Sequence, residues 1–138
     1  MEGGREWRVD SSRFPIAKTI TGVVLDLDSG ALRTLHWHPN ADEWQYVLDG
    51  TVSVTLFGSH GRTRIEQLQQ GDVGYIPKGY GHSIENTGDK PARIPIVEIS
   101  YVSTPRSKSS SKRRCLTLRP RRRTSFRASI PILMCVST

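Results

Sequence analysis

The chain has 138 residues, a mean hydropathy of −0.44 and a formal net charge of +7. That length holds one domain with a real core and excludes two complete catalytic domains. No stretch approaches the ~20 apolar residues of a membrane span, and the polar opening MEGGREWRVDSSRF has no apolar leader core, so the sequence reads as a cytoplasmic chain with no membrane partner.

Residues 1–14 read as an N-terminal arm, and residues 15–100 as an all-β domain. Ile20–Leu27 is β-branched and apolar, a strand pattern. The histidine-bearing run that follows Gly30 reads as extended, turns at Pro39-Asn40-Ala41-Asp42, and returns as a hairpin with Glu43 at the head of the next strand. Thr51–Phe57 alternates strictly, with Val52, Val54 and Leu56 on one face. Gly58-Ser59-His60-Gly61 is a turn, and Arg62–Leu68 resumes the extended pattern, which predicts a second hairpin. Val73–Ile76 and Ala92–Ile99 complete a set of short strands punctuated by Gly and Pro. No amphipathic helix is visible before residue 100, so the domain reads as an antiparallel sandwich or barrel.

Residues 101–138 read differently. They hold ten Lys/Arg and no acid, whereas residues 1–100 hold ten Lys/Arg and thirteen Asp/Glu, a balance of −3. The tail is expected to be disordered and solvated, in preference to a phosphate-binding arm, so nucleic acid is not an expected partner. Its loss of acids and of strand pattern also fits a shifted reading frame. Cys115 and Cys135 lie in it without CxxC spacing, which suggests neither a disulfide framework nor a zinc site.

The chemistry lies in two blocks, Gly30–Gly50 and Gly71–Asn86. His36 and His38 are two apart, so an unbroken strand puts both imidazoles on one face. Glu43 adds a carboxylate after the turn, and His82 a third imidazole after Pro77-Lys78-Gly79. Three imidazoles and a carboxylate suit a first-row divalent ion (Mn, Fe, Cu, Ni or Zn) and not Ca or Mg. In octahedral coordination they leave two positions open, the mark of a catalytic site. Trp37, Trp44 and Tyr46 are expected to pack around the ligands. His60, the fourth histidine, is expected to be exposed in its turn, as are Glu85 and Asp89 beside theirs.

These blocks match G(x)5HxH(x)4E(x)6G and G(x)5PxG(x)2H(x)3N without a departure, separated by residues 51–70. They resemble the two cupin motifs. The resemblance covers about residues 5–100 and implies a single cupin jelly-roll β-barrel with the metal inside. GALRTLHWHPNADEWQYVLDGTVSVTLFGSHGR and GDVGYIPKGYGHSIENTGD resemble the second cupin of two-cupin oxalate decarboxylases, and VDSSRFPIAKTITGVVLDLDSG its lead-in. That family implies Mn(2+), dioxygen as co-reactant, and cleavage of oxalate to formate and carbon dioxide. It also implies a second cupin and an acidic lid that this sequence lacks, so the chain reads as an isolated C-terminal half.

Two further residues are candidates for catalysis. Strand alternation points Arg33 away from the metal, whereas the resemblance implies an arginine that reaches the cavity to hold oxalate; a bulge after Gly30 would reconcile the two. Glu98 stands in the apolar strand PIVEIS, either inward as a cavity acid or outward and solvated. Competing readings are an oxalate oxidase, an Fe(II) dioxygenase, or a non-catalytic metal-binding or storage cupin. Assembly as a homo-oligomer is expected, through apolar surface including Leu25, Leu27, Trp44, Tyr46 and the Ile94–Ile99 strand.

Overall fold

A computed structural model describes residues 3–101. The expected tail disorder, Cys115 and Cys135 lie outside the described residues. Nine strands and no helix are present among the described residues. They are β1 Gly4–Val9, β2 Ile20–Leu27, β3 Leu32–His36, β4 Ala41–Tyr46, β5 Thr51–Phe57, β6 Thr63–Gln69, β7 Val73–Ile76, β8 Gly81–Asn86 and β9 Ala92–Ser100. Two antiparallel sheets form, ordered β1-β2-β9-β4-β7 and β3-β8-β5-β6. This is the expected all-β jelly roll.

The inward positions follow the period of two that a strand imposes. Val23, Leu25 and Leu27 of β2 meet Val52, Val54 and Leu56 of β5, with Ile84 of β8 and Ile94 and Ile96 of β9. Each such fully buried side chain contributes about 1.5–3 kcal/mol. Leu25, Leu27, Ile94 and Ile96 are therefore core, which corrects the expectation that they form exposed assembly surface. Trp44, Tyr46, Val97 and Ile99 do lie on the outer face.

Among the described residues the chain changes sheet at six of eight connections; only β1–β2 and β5–β6 join neighbours in one sheet. The expected β5–β6 hairpin is present, with exposed His60 at φ 62° in its turn. The expected hairpin between the histidine strand and Glu43 is not. β3 and β4 belong to opposite sheets, and the bend at Pro39-Asn40 carries the chain across the interior. Residues 4–9 of the expected arm form an outer strand in register with β2.

Gly50 ends the first block at φ 89°, where an added Cβ would stand 2.7 Å from Ala92 Cβ. Only glycine fits both the left-handed backbone and that approach. Asn86, the last residue of the second block, is buried and donates to the carbonyls of Leu27, Asp28 and Lys90 at 2.8–3.1 Å. It ties the β2–β3 link to the β8–β9 turn, a structural role rather than a ligand's.

Candidate metal centre

β3 does not alternate regularly. Arg33 pairs with Ile84 and His36 with His82, so the register slips by one residue between them. The cause is a β-bulge, which sets two residues of one strand against one of the other. Thr34 and Leu35 both face outward, and Arg33 and His36 both face inward. This removes the conflict between strand parity and an inward Arg33. Its Nε donates to His36 Nε2 at 3.4 Å.

His38 lies beyond the end of β3, in the crossing segment. Gly79, at φ 81°, donates its N–H to the His38 carbonyl at 2.8 Å, fastening the Pro77-Lys78-Gly79 turn to that segment. Asp42 supports the same turn by accepting the Lys78 N–H at 2.8 Å. Glu43 projects inward from β4 and His82 from β8, at 2% and 0% exposure. One sheet thus supplies Glu43 and the other His36 and His82, with His38 between them.

The candidate ligand atoms of His36, His38, Glu43 and His82 all lie within 4.8 Å of one another. Ligands opposite each other on an ion at ~2.1 Å are about 4.2 Å apart, so the spacing exceeds that of a filled site by no more than about 0.6 Å. The tautomers fit as well. His36 Nδ1 donates to the Thr34 carbonyl at 2.8 Å, and His82 Nδ1 to the Tyr80 carbonyl at 3.2 Å. Each Nε2 is left unprotonated, with its lone pair available, the usual arrangement of ligating histidines. Glu43 Oε2 faces His38 Nε2 at 2.8 Å and His82 Nε2 at 3.3 Å. Neither buried Nε2 makes an aligned hydrogen bond among the described residues. Buried polar atoms that crowd one point unpaired are costly unless something at that point satisfies them. A divalent ion does so, and the donor set fits one.

Electrostatics agree with the geometry. Burial alone would push the Glu43 carboxyl up, but His38 and His82 outweigh it and hold it far below the usual carboxylate range. The Glu43 carboxylate raises His38. Burial lowers His36, which favours its neutral form.

Glu98 also faces the interior and is buried. It stands directly across from Glu43 on the neighbouring strand, with Oε1 3.9 Å from His38 Nε2. Of the two orientations open to it, the inward one is observed. Trp37, Trp44 and Tyr46 do not pack around the ligands as expected. All three are exposed: Trp44 and Tyr46 because the inward positions of β4 are Ala41, Glu43 and Gln45, and Trp37 in the segment that follows β3. Glu85 and Asp89 are exposed as expected.

Sequence reasoning missed three residues. Gln45 is buried and donates to Glu43 Oε1 at 2.7 Å, so it aims the carboxylate. Its position two after Glu43 in a strand was the available signal. Glu6 and Arg8 of β1 pair with Arg33 and Glu98 respectively. Their spacing of two gave only a weak sign, since a short charged segment looks solvated.

Comparisons with known proteins agree. A family model described as Cupin matches residues 1–109. Oxalate decarboxylase OxdC of Bacillus subtilis (strain 168) is 47% identical over 90 residues, covering 65% of this chain and 23% of its own length. A formate complex of Lactobacillus farciminis oxalate decarboxylase superposes with TM-score 0.69 at 39% identity, over 74% of this chain and 30% of that one. A Bacillus subtilis oxalate decarboxylase described for its Mn(II) centres matches with TM-score 0.66 at 34% identity, over 71% of this chain and 26% of that one. The chain thus spans about a quarter of the length of the oxalate decarboxylases it matches.

Proposed function

The chain belongs to the cupin family, and from that premise we propose that it holds Mn(2+) at His36, His38, Glu43 and His82 and works on oxalate as an oxalate decarboxylase does. The observation that carries the metal reading is the pair of buried Nε2 atoms, on His38 and His82, that face Glu43 without hydrogen bonds among the described residues. The similarity to oxalate decarboxylases supports manganese and oxalate.

Bound manganese supplies a seat for a substrate oxygen and one-electron redox chemistry, with dioxygen as co-reactant. The chain's own residues have separate tasks. Arg33, beside His36, offers a guanidinium fork to one carboxylate of oxalate and offsets its desolvation. Glu98, buried near His38, is the candidate proton carrier. The C–C bond of hydrogen oxalate breaks, carbon dioxide leaves, and the proton ends on the carbon of formate. Gln45 holds Glu43 in place. Residues 15–100, with β1 added along one sheet edge, form the domain that carries this chemistry, and the outer face bearing Trp44, Tyr46, Val97 and Ile99 is the proposed surface for self-association.

The test is product analysis with the manganese-loaded full chain and carbon-13 oxalate. Formate and carbon dioxide in equal amounts support the proposal. Hydrogen peroxide without formate would replace it by oxalate oxidation. A chain that retains manganese yet leaves oxalate intact would be a metal-holding module.

A further inference from the structure

Four side chains of alternating charge run along one wall of the interior. Arg33 pairs with Glu6, Glu6 Oε1 lies 3.5 Å from Arg8 Nε, and Arg8 Nη2 donates to Glu98 Oε1 at 2.6 Å. Arg33 and Glu98 belong to the site; Glu6 and Arg8 come from β1. β1 and β3 are outer strands of opposite sheets, so the Glu6–Arg33 pair joins two sheet edges that share no ladder. A cavity of about 500 Å3 opens between those edges, bounded by Glu6, Leu25, Leu32, Arg33 and His36. It leads past the ion pair to a candidate metal ligand.

The pair is not a surface pair. The side chains of Arg33 and Glu6 are only 16% and 18% exposed, so solvent screens their attraction weakly. A guanidinium binds carboxylates through one planar fork. Glu6 engages Arg33 with the same functional group that a small acid would present.

We propose that Glu6 is a tethered competitor for the anion seat on Arg33, which any carboxylate ligand must displace to bind there. The inference rests on Arg33 being the anion seat of the proposed function. A ligand entering from the cavity must displace the Glu6 carboxylate. Arg8 is placed to receive it, since Glu6 already approaches the Arg8 guanidinium and Arg8 is part-exposed. Exchange leaves the charge on Arg33 compensated throughout. A dicarboxylate gains the exchange and keeps a second carboxylate for the metal, because Arg33 Nε stands 3.4 Å from His36 Nε2. A monocarboxylate can hold one seat or the other, and at Arg33 it meets the same rival without the second hold. Return of Glu6 to Arg33 then helps to expel a monocarboxylate product.

The experiment compares the full-length, manganese-loaded wild type with Glu6→Gln and Glu6→Ala. Formate and oxalate are titrated by calorimetry, with manganese content and melting temperature measured in parallel. Both variants should bind oxalate about tenfold more tightly, the scale of one charged hydrogen bond, and formate more tightly by no more than that. Manganese content should not change, because Glu6 is not a ligand. If Glu6 only held Arg33 in position, both variants would bind oxalate less tightly, which would overturn the proposal. So would unchanged affinities, or no binding of either acid by any of the three chains. Turnover is scored separately. Tightened oxalate binding without formate production keeps the competitor and removes the decarboxylase reading; turnover with unaltered affinities does the reverse.

Discussion

Ile94 and Glu98 stand on the same inward face of β9, yet they belong to different halves of the interior. Around Ile94 the inward residues of β2, β5 and β8 are Leu25, Val54 and Ile84, a dry apolar core. Around Glu98 stand Glu43 of β4, His38 of the crossing segment and the part-exposed Arg8 of β1. The strands and their alternation are common to both halves; only the chemistry of the inward positions changes. One half stabilises the fold by excluding water. The other half gives up that stabilisation and keeps charges unpaired or cross-paired around one point. The apolar half must therefore be strong enough to hold the polar half in place.

The sharpest way to separate the halves is to remove a ligand. His82→Ala should weaken manganese binding by more than about a hundredfold, beyond the range seen for outer partners of a ligand. Metal analysis after dialysis checks this, with exposed His60→Ala expected to match wild type. Equal losses would merge the ligand with the loop histidine. Leu25→Ala is the reciprocal change. It should cost about 2–5 kcal/mol in chemical denaturation, because it opens a cavity in the closed core. The protein that stays folded should bind manganese with wild-type affinity.

Those two changes were legible in advance to different degrees. The four candidate ligands could be read because residue type and spacing carry them directly. The core faces of β2 and β5 could be read from alternation. The placement of β4 could not: a two-residue bend between extended runs looks the same whether the chain turns back or crosses to the other sheet. The inward Arg33 depends on a backbone bulge that no side chain announces. Glu6 and Arg8 lie in a strand too short and charged to register as part of the interior. In each case the missing information was tertiary, a matter of which edge lies beside which.

Acid should reach the polar half before the apolar one. Manganese can bind only where the imidazoles are unprotonated. Glu43 raises His38, so a proton competes there above the ordinary histidine range, while Glu43 itself stays ionised. Manganese affinity should fall by about tenfold or more between pH 8 and pH 5, with the fall starting above the pH of an ordinary histidine. A titration followed by electron paramagnetic resonance tests this, and a flat profile would contradict it. The smallest effect belongs to a pair outside both halves. Arg93 holds Asp26 in a two-point contact at 2.7 Å, on the outer face of β2 and β9. Asp26→Asn should leave the melting temperature nearly unchanged, because water screens the pair.

The bulge in β3 makes this site depend on the shape of a backbone as much as on its residues. A regular strand can send two side chains inward only at an even separation. Arg33 and His36 are separated by three and both point in, because Thr34 and Leu35 share the turn outward. Straightening the strand at its present length would turn one of Arg33 and His36 outward. Deleting Thr34 or Leu35 would instead leave a separation of two, which a regular strand opposite Ile84, Ser83 and His82 keeps on one face without any bulge. What this strand must preserve is thus the match between its residue count and its backbone shape: an odd count needs the bulge, and an even one would not.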